Sequence, residues 1–397
     1  MRLIINKKKL FYCVLYFFMF IFYLLPPTVI DLNSSYIISA FKIISYALII
    51  GNAVFNPIVK SKSLNIIIAY NAILILSTFI NGGDIIEATK HAIVIILVCY
   101  SISIILLDKN KKIAFIRIVR DVSLVFFIIN IFLLIKYPYG IPSITYDSNF
   151  PNFLYGNVNS TIKYIIPGMC CSSILDLKYN NKKISIHTFI FLFGIFYQAF
   201  NIYFTLTALI SSTFIIIWTI LVLYKKEISI KSMYTLILIF ILLVEAMIIL
   251  NADIFGHIAA IFGKNSNLSG RTQLWLNTIN NVFKKIIFGY GALEDSELVK
   301  ITGNFYGAHN YFLDILLQRG IIGLILLLKL ILYPIKIYKY KGTVAIDVLM
   351  GYCLSCILIF LSEPIYLKEY LIIPIIYSLN YLLELNNKNI KRTKYEG

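Results

Sequence analysis

The chain has 397 residues, of which 59% are apolar and 14% charged, and its mean hydropathy is +0.83. These values exclude the two or three water-soluble domains that such a length otherwise suggests. The formal charge of +17 would point a soluble protein toward nucleic acid; here its meaning depends on where Lys and Arg fall along the chain. The apolar residues form continuous blocks close to twenty residues long, enough to cross about 30 Å of hydrocarbon as helices. Their continuity disfavours a spanning β-barrel, whose strands must alternate every second residue.

Taken in chain order, the blocks predict about twelve spans: 11–30, 36–55, 64–80, 89–107, 121–137, 161–177, 186–203, 204–223, 232–250, 320–335, 344–361 and 365–384. The whole chain 1–397 reads as one all-α integral membrane domain. With a cytoplasmic N-terminus, the inside segments are 1–10, 56–63, 108–120, 178–185, 224–231, 336–343 and 385–397. They hold 24 of the 36 Lys and Arg residues, which sets both termini inside and explains the basic charge as a topology signal, with no nucleic acid partner. The first span looks like a signal peptide but ends in Pro26-Pro27 without a small-x-small cleavage site, and is read as retained. All six cysteines lie within spans, so no disulfide framework is expected. Cys353-x-x-Cys356 has no His or acidic neighbour and reads as packing.

Two outer loops remain, 138–160 and the longer 251–319, and loops of this length usually carry function. The motifs that bind nucleotide or zinc, and the nucleophile elbow, are absent, as is an Asp-x-Asp pair for a metal and a nucleotide-sugar diphosphate. An enzyme of this kind therefore takes a substrate with its energy already stored, with no cofactor and no metal expected. Gly289-Tyr290-Gly291 is read as a turn, because a potassium filter needs a spanning helix directly after it. Charges within spans are costly, and Lys42, Lys136, Lys163 and Glu245 all lie toward the outer ends of theirs, suggesting a polar cavity open to the outside. Snorkelling to the headgroups is the simpler account of each alone. Tyr137, Tyr139, Tyr146, Phe150 and Phe153 could stack on sugars or anchor at the interface.

In the long loop, a turn-rich stretch from Asn265 leads into an amphipathic helix. Its apolar face holds Trp275, Ile279, Val282, Phe283 and Ile286; its N-cap would be Ser269. Arg271 in the first turn, beside free backbone N–H groups, suits a phosphate or diphosphate. Further on, a short helix is predicted to begin near His309 and end at Gly320, a left-handed cap leading into the tenth span. Asn310 and Asp314 would be neighbours on it, with Arg319 near its far end. A lone His is usually structural, but one at the boundary of water and membrane can act as a neutral base near pH 7.

Ser269-Gly270-Arg271 with Trp275, then Phe288-Gly289-Tyr290-Gly291, then His309-Asn310-Tyr311 with Asp314, Gln318-Arg319-Gly320 and Gly323, resembles the bacterial O-antigen polymerase and ligase family of GT-C type membrane glycosyltransferases. The resemblance covers about 60 residues of motif, and Asn157-x-Asn159 before the sixth span is also similar. One departure stands out: many members carry Ser-Arg where this chain has Thr205-Leu206-Thr207-Ala208, so another cation, Lys163 or Lys136, is expected to hold the diphosphate. The resemblance implies glycan transfer from undecaprenyl diphosphate to a sugar hydroxyl at the outer face of the bacterial cytoplasmic membrane. The 251–319 loop would be the catalytic, extracytoplasmic part. His309 would accept the acceptor's proton, while Arg271 and Arg319 stabilise the leaving diphosphate. Lys163, Lys136, Asn310, Tyr311, Asp314 and Trp275 would bind or orient substrate. The reaction would invert the anomeric centre. A polymerase, with a chain-length regulator and flippase as expected partners, is favoured over a ligase acting on lipid A core. A lipid-linked oligosaccharide flippase should show internal repeats and midplane charges, and neither is evident.

Overall fold

A computed structural model describes residues 7–32, 36–57, 59–145, 151–180, 183–200, 205–224, 229–250, 271–303, 307–338, 343–365 and 368–395. Its helices are α1 (Lys7–Leu24), α2 (Pro27–Leu32), α3 (Tyr36–Val54), α4 (Lys62–Ile80), α5 (Ile85–Leu107), α6 (Lys109–Lys136), α7 (Thr161–Ile174) and α8 (Ile186–Ala199). They continue with α9 (Leu206–Tyr224), α10 (Ile230–Leu250), α11 (Arg271–Val282), α12 (Asp295–Thr302), α13 (Tyr311–Ile337), α14 (Val344–Phe360) and α15 (Glu369–Tyr395). Eleven of the twelve predicted blocks each fall on one of these helices, and the first, 11–30, is divided between α1 and α2 by a break at Leu25-Pro26. Seven of the helices, α3, α4, α5, α6, α9, α10 and α13, are long and apolar enough to cross a membrane by length and composition. Many large apolar side chains face outward, among them Phe79, Phe132 and Phe240, each more than 60% exposed. Such a surface suits lipid rather than water. The all-α expectation needs one correction, a short antiparallel hairpin pairing Asn152–Phe153 with Gly156–Asn157 in the 138–160 loop.

Helix starts follow from local chemistry. Ser61, Asp84 and Asp108 accept backbone N–H bonds at the first turns of α4, α5 and α6, satisfying donors that would otherwise be orphaned. The inner packing pairs α6 with α1 and α7, α4 with α5 and α13, and α14 with α9. Cys353 and Cys356 are fully buried in the core on α14, in keeping with the packing reading.

The loop after α11 is fastened to the bundle by backbone groups. α13 is interrupted at Gly320 (φ 60°, ψ −164°), where the sequence predicted a left-handed stop. The break frees carbonyls, and the loop supplies donors: Tyr290 N bonds Leu317 O at 2.7 Å and Gly291 N bonds Gln318 O at 2.9 Å. In return Ile321 N donates to Ile286 O at 2.8 Å. The approach is close enough that a Cβ on Gly320 would lie 2.2 Å from the Ile287 carbonyl oxygen. The end of α4 closes the joint, with Ser77 Oγ on Gln318 O, Asn81 Nδ2 on Gly289 O, and Thr78 Oγ1 accepting from Ala292 N. The Gly-Tyr-Gly triplet is thus a docking turn, as its sequence context predicted.

Gly320→Ala combines this clash with a backbone conformation essentially reserved for glycine. It is expected to cost about 1–3 kcal/mol, read as a lowered thermal midpoint of the purified protein in detergent.

Candidate active site

α11 lies on the bundle rather than on a bare membrane face. Leu274, Trp275 and Val282 pack with Leu313, Leu316 and Leu317 of α13. On its other face, Asn277 and Asn281 donate to the end of α12, Asn277 to Thr302 O and Asn281 to Ile301 O. The predicted Ser269 cap and the 265–270 turn lie outside the described residues. Of the loop aromatics, Tyr146 and Phe150 do too, Phe153 is buried at 1%, and Tyr139 is exposed.

Three helices hold the segment around His309. Trp275 Nε1 donates to Ala308 O at 3.0 Å, and Ala308 N donates to Asp314 Oδ1 at 2.7 Å. Asn310 accepts from Leu313 N at 3.1 Å as the N-cap of α13, while its amide donates to Glu245 Oε2 at 2.9 Å. The peptide groups on either side of His309 are therefore fixed by α10, α11 and α13. His309 itself has φ 49° and is the one non-glycine residue of positive φ among the described residues. Such backbone strain persists only where surrounding contacts enforce it, and it clusters at functional sites.

The His309 imidazole is half-buried, and its pKa is lowered to about 4, first by burial and then by the nearby Arg271 and Lys163 cations. The ring is therefore neutral at pH 7 and able to accept a proton. Lys163, in the first turn of α7, is 6% exposed and donates to Pro364 O at 3.1 Å. Arg271, about a quarter exposed, lies 4.0 Å from the buried Glu363 carboxylate. Burial pushes the Glu363 carboxyl up from its ordinary value, against the pull of Lys163 and Arg271. Ser362 bonds Thr207 at 2.8 Å, which brings in the start of α9. One oxygen each of Glu245, Asp314 and Glu363 is buried without a hydrogen bond among the described residues. The site thus gathers a neutral imidazole, two cations and three carboxylates at one end of the bundle.

Several expected site residues take other places. Arg319 is 0% exposed, and its guanidinium binds Glu369 at both ends, each N–O distance 2.9 Å. It also lies 4.2 Å over the Tyr70 ring. With its charge already matched, Arg319 does not present a free guanidinium face to a diphosphate, and the expected leaving-group contact is revised. Tyr311, also 0% exposed, bonds the same Glu369 and Tyr70, so it supports the core and does not meet a sugar. Trp275 and Asn310 are likewise buried supports. Lys136 is exposed, over the ring of Tyr137, and does not join the cluster; of the two cations expected to replace the missing family Arg, only Lys163 is there. Asn157 accepts from Asn159 N at the turn entering α7.

Glu363, Glu369, His91 and Tyr70 did not emerge from the sequence. His91 Nε2 lies 3.0 Å from Glu369 Oε2, and Tyr70 OH donates to Glu369 Oε1 at 3.0 Å. The available signal was scarcity: Glu363 and Glu369 flank Pro364 in a chain with only 19 acidic residues.

Glu369→Gln would leave the Arg319 guanidinium buried without its counter-charge. Breaking a buried pair from one side costs about 3–5 kcal/mol. A large drop in thermal midpoint is expected, with a smaller drop for the exposed Lys136→Ala.

Comparison with known proteins follows the same segment. A stretch of 143 residues is 28% identical to an uncharacterized protein of Haemophilus influenzae, covering 30% of this chain and 36% of the relative. The chain therefore spans little more than a third of that relative's length. No solved structure matches. Residues 190–328, from α8 into α13, match the family model described as O-antigen ligase, whose members are glycosyltransferase-like enzymes. Over that segment the chain is similar to the O-antigen ligase family, the resemblance that the order of its motifs led one to expect.

Proposed function

We propose that this protein is a GT-C-like glycosyltransferase of the bacterial cytoplasmic membrane, with both termini cytoplasmic, that joins undecaprenyl-diphosphate-linked oligosaccharide repeat units at the outer face. The product would be O-antigen or capsular polysaccharide, made alongside a flippase and a chain-length regulator. The observation that carries this reading is the meeting of His309 with Arg271 and Lys163, in and beside the segment that matches the O-antigen ligase family.

In the reaction, the acceptor hydroxyl oxygen attacks the donor's anomeric carbon as the bond to diphosphate breaks, and the configuration inverts. His309 takes the hydroxyl proton. Arg271 and Lys163 balance charge on the departing diphosphate, and Asp314 and Asn310 hold the His309 segment in place. The same two cations that depress the basicity of His309 would be neutralised by the bound diphosphate. Donor binding thereby makes the imidazole a stronger base when it is needed.

A ligase, moving finished polymer from undecaprenyl diphosphate to lipid A core, is the second reading, and the similarity of residues 190–328 to the O-antigen ligase family favours it. Polymerase is preferred for a chain this rich in Ile, Asn, Lys and Tyr, a composition often met among polymerases. In a strain lacking the native gene, loss of the polysaccharide ladder with single capped units retained supports the polymerase. Accumulation of unligated polymer supports the ligase.

His309→Ala is expected to lower transfer about 10²–10⁴-fold without loss of folded protein, and near-normal long-chain product would remove it from the base role. The acid limb of kcat/KM, which reports the free enzyme, should lie well below pH 6.5. That of kcat, which reports the donor complex, should lie at higher pH, because the bound anion raises the His309 pKa. Coincident limbs would contradict the proposed role of Arg271 and Lys163.

A further inference from the structure

The bundle contains a cavity of about 440 Å³ that the proposed transfer does not use, within the range of about 300–1,000 Å³ typical of ligand sites. It lies among α1, α5, α6, α7, α14 and α15. Most of its wall is apolar, with Ile102, Ile116, Leu349 and Ile375 contributing. Pro167 of α7 and Pro374 of α15 both line it. A proline within a helix gives up one backbone bond and crowds the preceding turn, which keeps these two helices from closing over the space.

The element ends give the cavity a polarity: among its lining residues, Tyr370 follows Glu369 at the start of α15 and packs on Tyr23 near the end of α1, whereas Lys112 lies in the first turn of α6, Lys178 in the extension that ends α7, Thr343 at the N-cap of α14 and Asn386 far along α15. Lys163 and Lys178 mark the two ends of α7 and its π-helical extension Leu175–Tyr179, about 22 Å apart at 1.5 Å per residue. Neither Lys112 nor Lys178 pairs with a carboxylate among the described residues; Lys178 lies 5.5 Å over the Tyr179 ring. Asp108, the N-cap of α6, offsets part of the Lys112 charge, but Lys178 lies near Lys112 and Lys109 lies near both, so this end of the apolar slot carries net positive charge.

We propose that this slot binds an anionic phospholipid of the leaflet at that end, with its phosphate on Lys112 and Lys178 and one acyl chain inside. Basic pockets between helices at the basic face of a membrane protein take anionic headgroups in this way. The position of the charges argues against the polyprenyl donor as occupant, since its diphosphate belongs with Arg271 and Lys163 at the opposite end. A zwitterionic lipid would bring its own cation toward the two lysines and gain less.

The test uses the full-length protein, purified in detergent and stripped of lipid. Phosphatidylglycerol carrying a photoreactive acyl chain is expected to crosslink to residues of the cavity wall such as Leu349 or Ile375, and to raise the thermal midpoint. Phosphatidylcholine with the same chain should do both much more weakly. The variant Lys112→Gln/Lys178→Gln should bind phosphatidylglycerol about tenfold or more weakly by titration and lose the preference over phosphatidylcholine. Crosslinks confined to the outer perimeter, equal effects of the two lipids on the wild-type protein, or selective crosslinking of a polyprenyl phosphate within the slot would each overturn the proposal. Should the variant fail to fold, the wild-type crosslinking map and lipid comparison decide alone.

Discussion

The bidentate pair between Arg319 and Glu369 is the constraint on which the His309 end of this bundle rests. Two opposite charges are taken wholly out of water, and the cost of desolvating them is offset by a dense set of contacts on Glu369: two guanidinium bonds, a histidine and two tyrosine hydroxyls, with a ring beneath the guanidinium, while Arg319 Nε is buried without a hydrogen bond among the described residues. The participating residues come from α4, α5, α13 and α15. Any relative slide of these helices would strand a charge. Such a network does more for the uniqueness of the arrangement than for its net stability, and here it fixes the half-helix that His309 precedes.

Against that rigid support, the cluster around His309 is electrostatically unfinished. Its carboxylates retain buried oxygens without hydrogen bonds among the described residues, and Arg271 approaches Glu363 only to 4.0 Å. Lys163 is held by a carbonyl, which orients its ammonium without cancelling the charge. The contrast between the two clusters, one closed and one open, separates residues that hold the structure from residues able to meet a charged and hydroxylated ligand. It also moves Arg319 from the second group to the first.

Much of this was legible in the chain itself. The apolar blocks, the long connection between α10 and α13 and the glycine break at 320 follow from periodicity and turn propensity. What could not be read was pairing at long range. Arg319 looked like a phosphate ligand because its partner lies 50 residues away on another helix, and no local pattern distinguishes a guanidinium facing a carboxylate from one facing solvent. Trp275 and Tyr311 failed for the same reason: aromatic residues near a polar motif serve sugars or the core equally well, and burial alone tells them apart. Lys136 ends α6 and adjoins the 138–160 loop, yet its side chain is exposed.

The connection between α14 and α15 carries Ser362, Glu363 and Pro364 on the open side and, a few residues on, Glu369 in the closed network. One short stretch of backbone thus serves two masters whose positions are set independently. Its length acts as a gauge: a single added or deleted residue would put one acidic group out of register while the other stayed pinned.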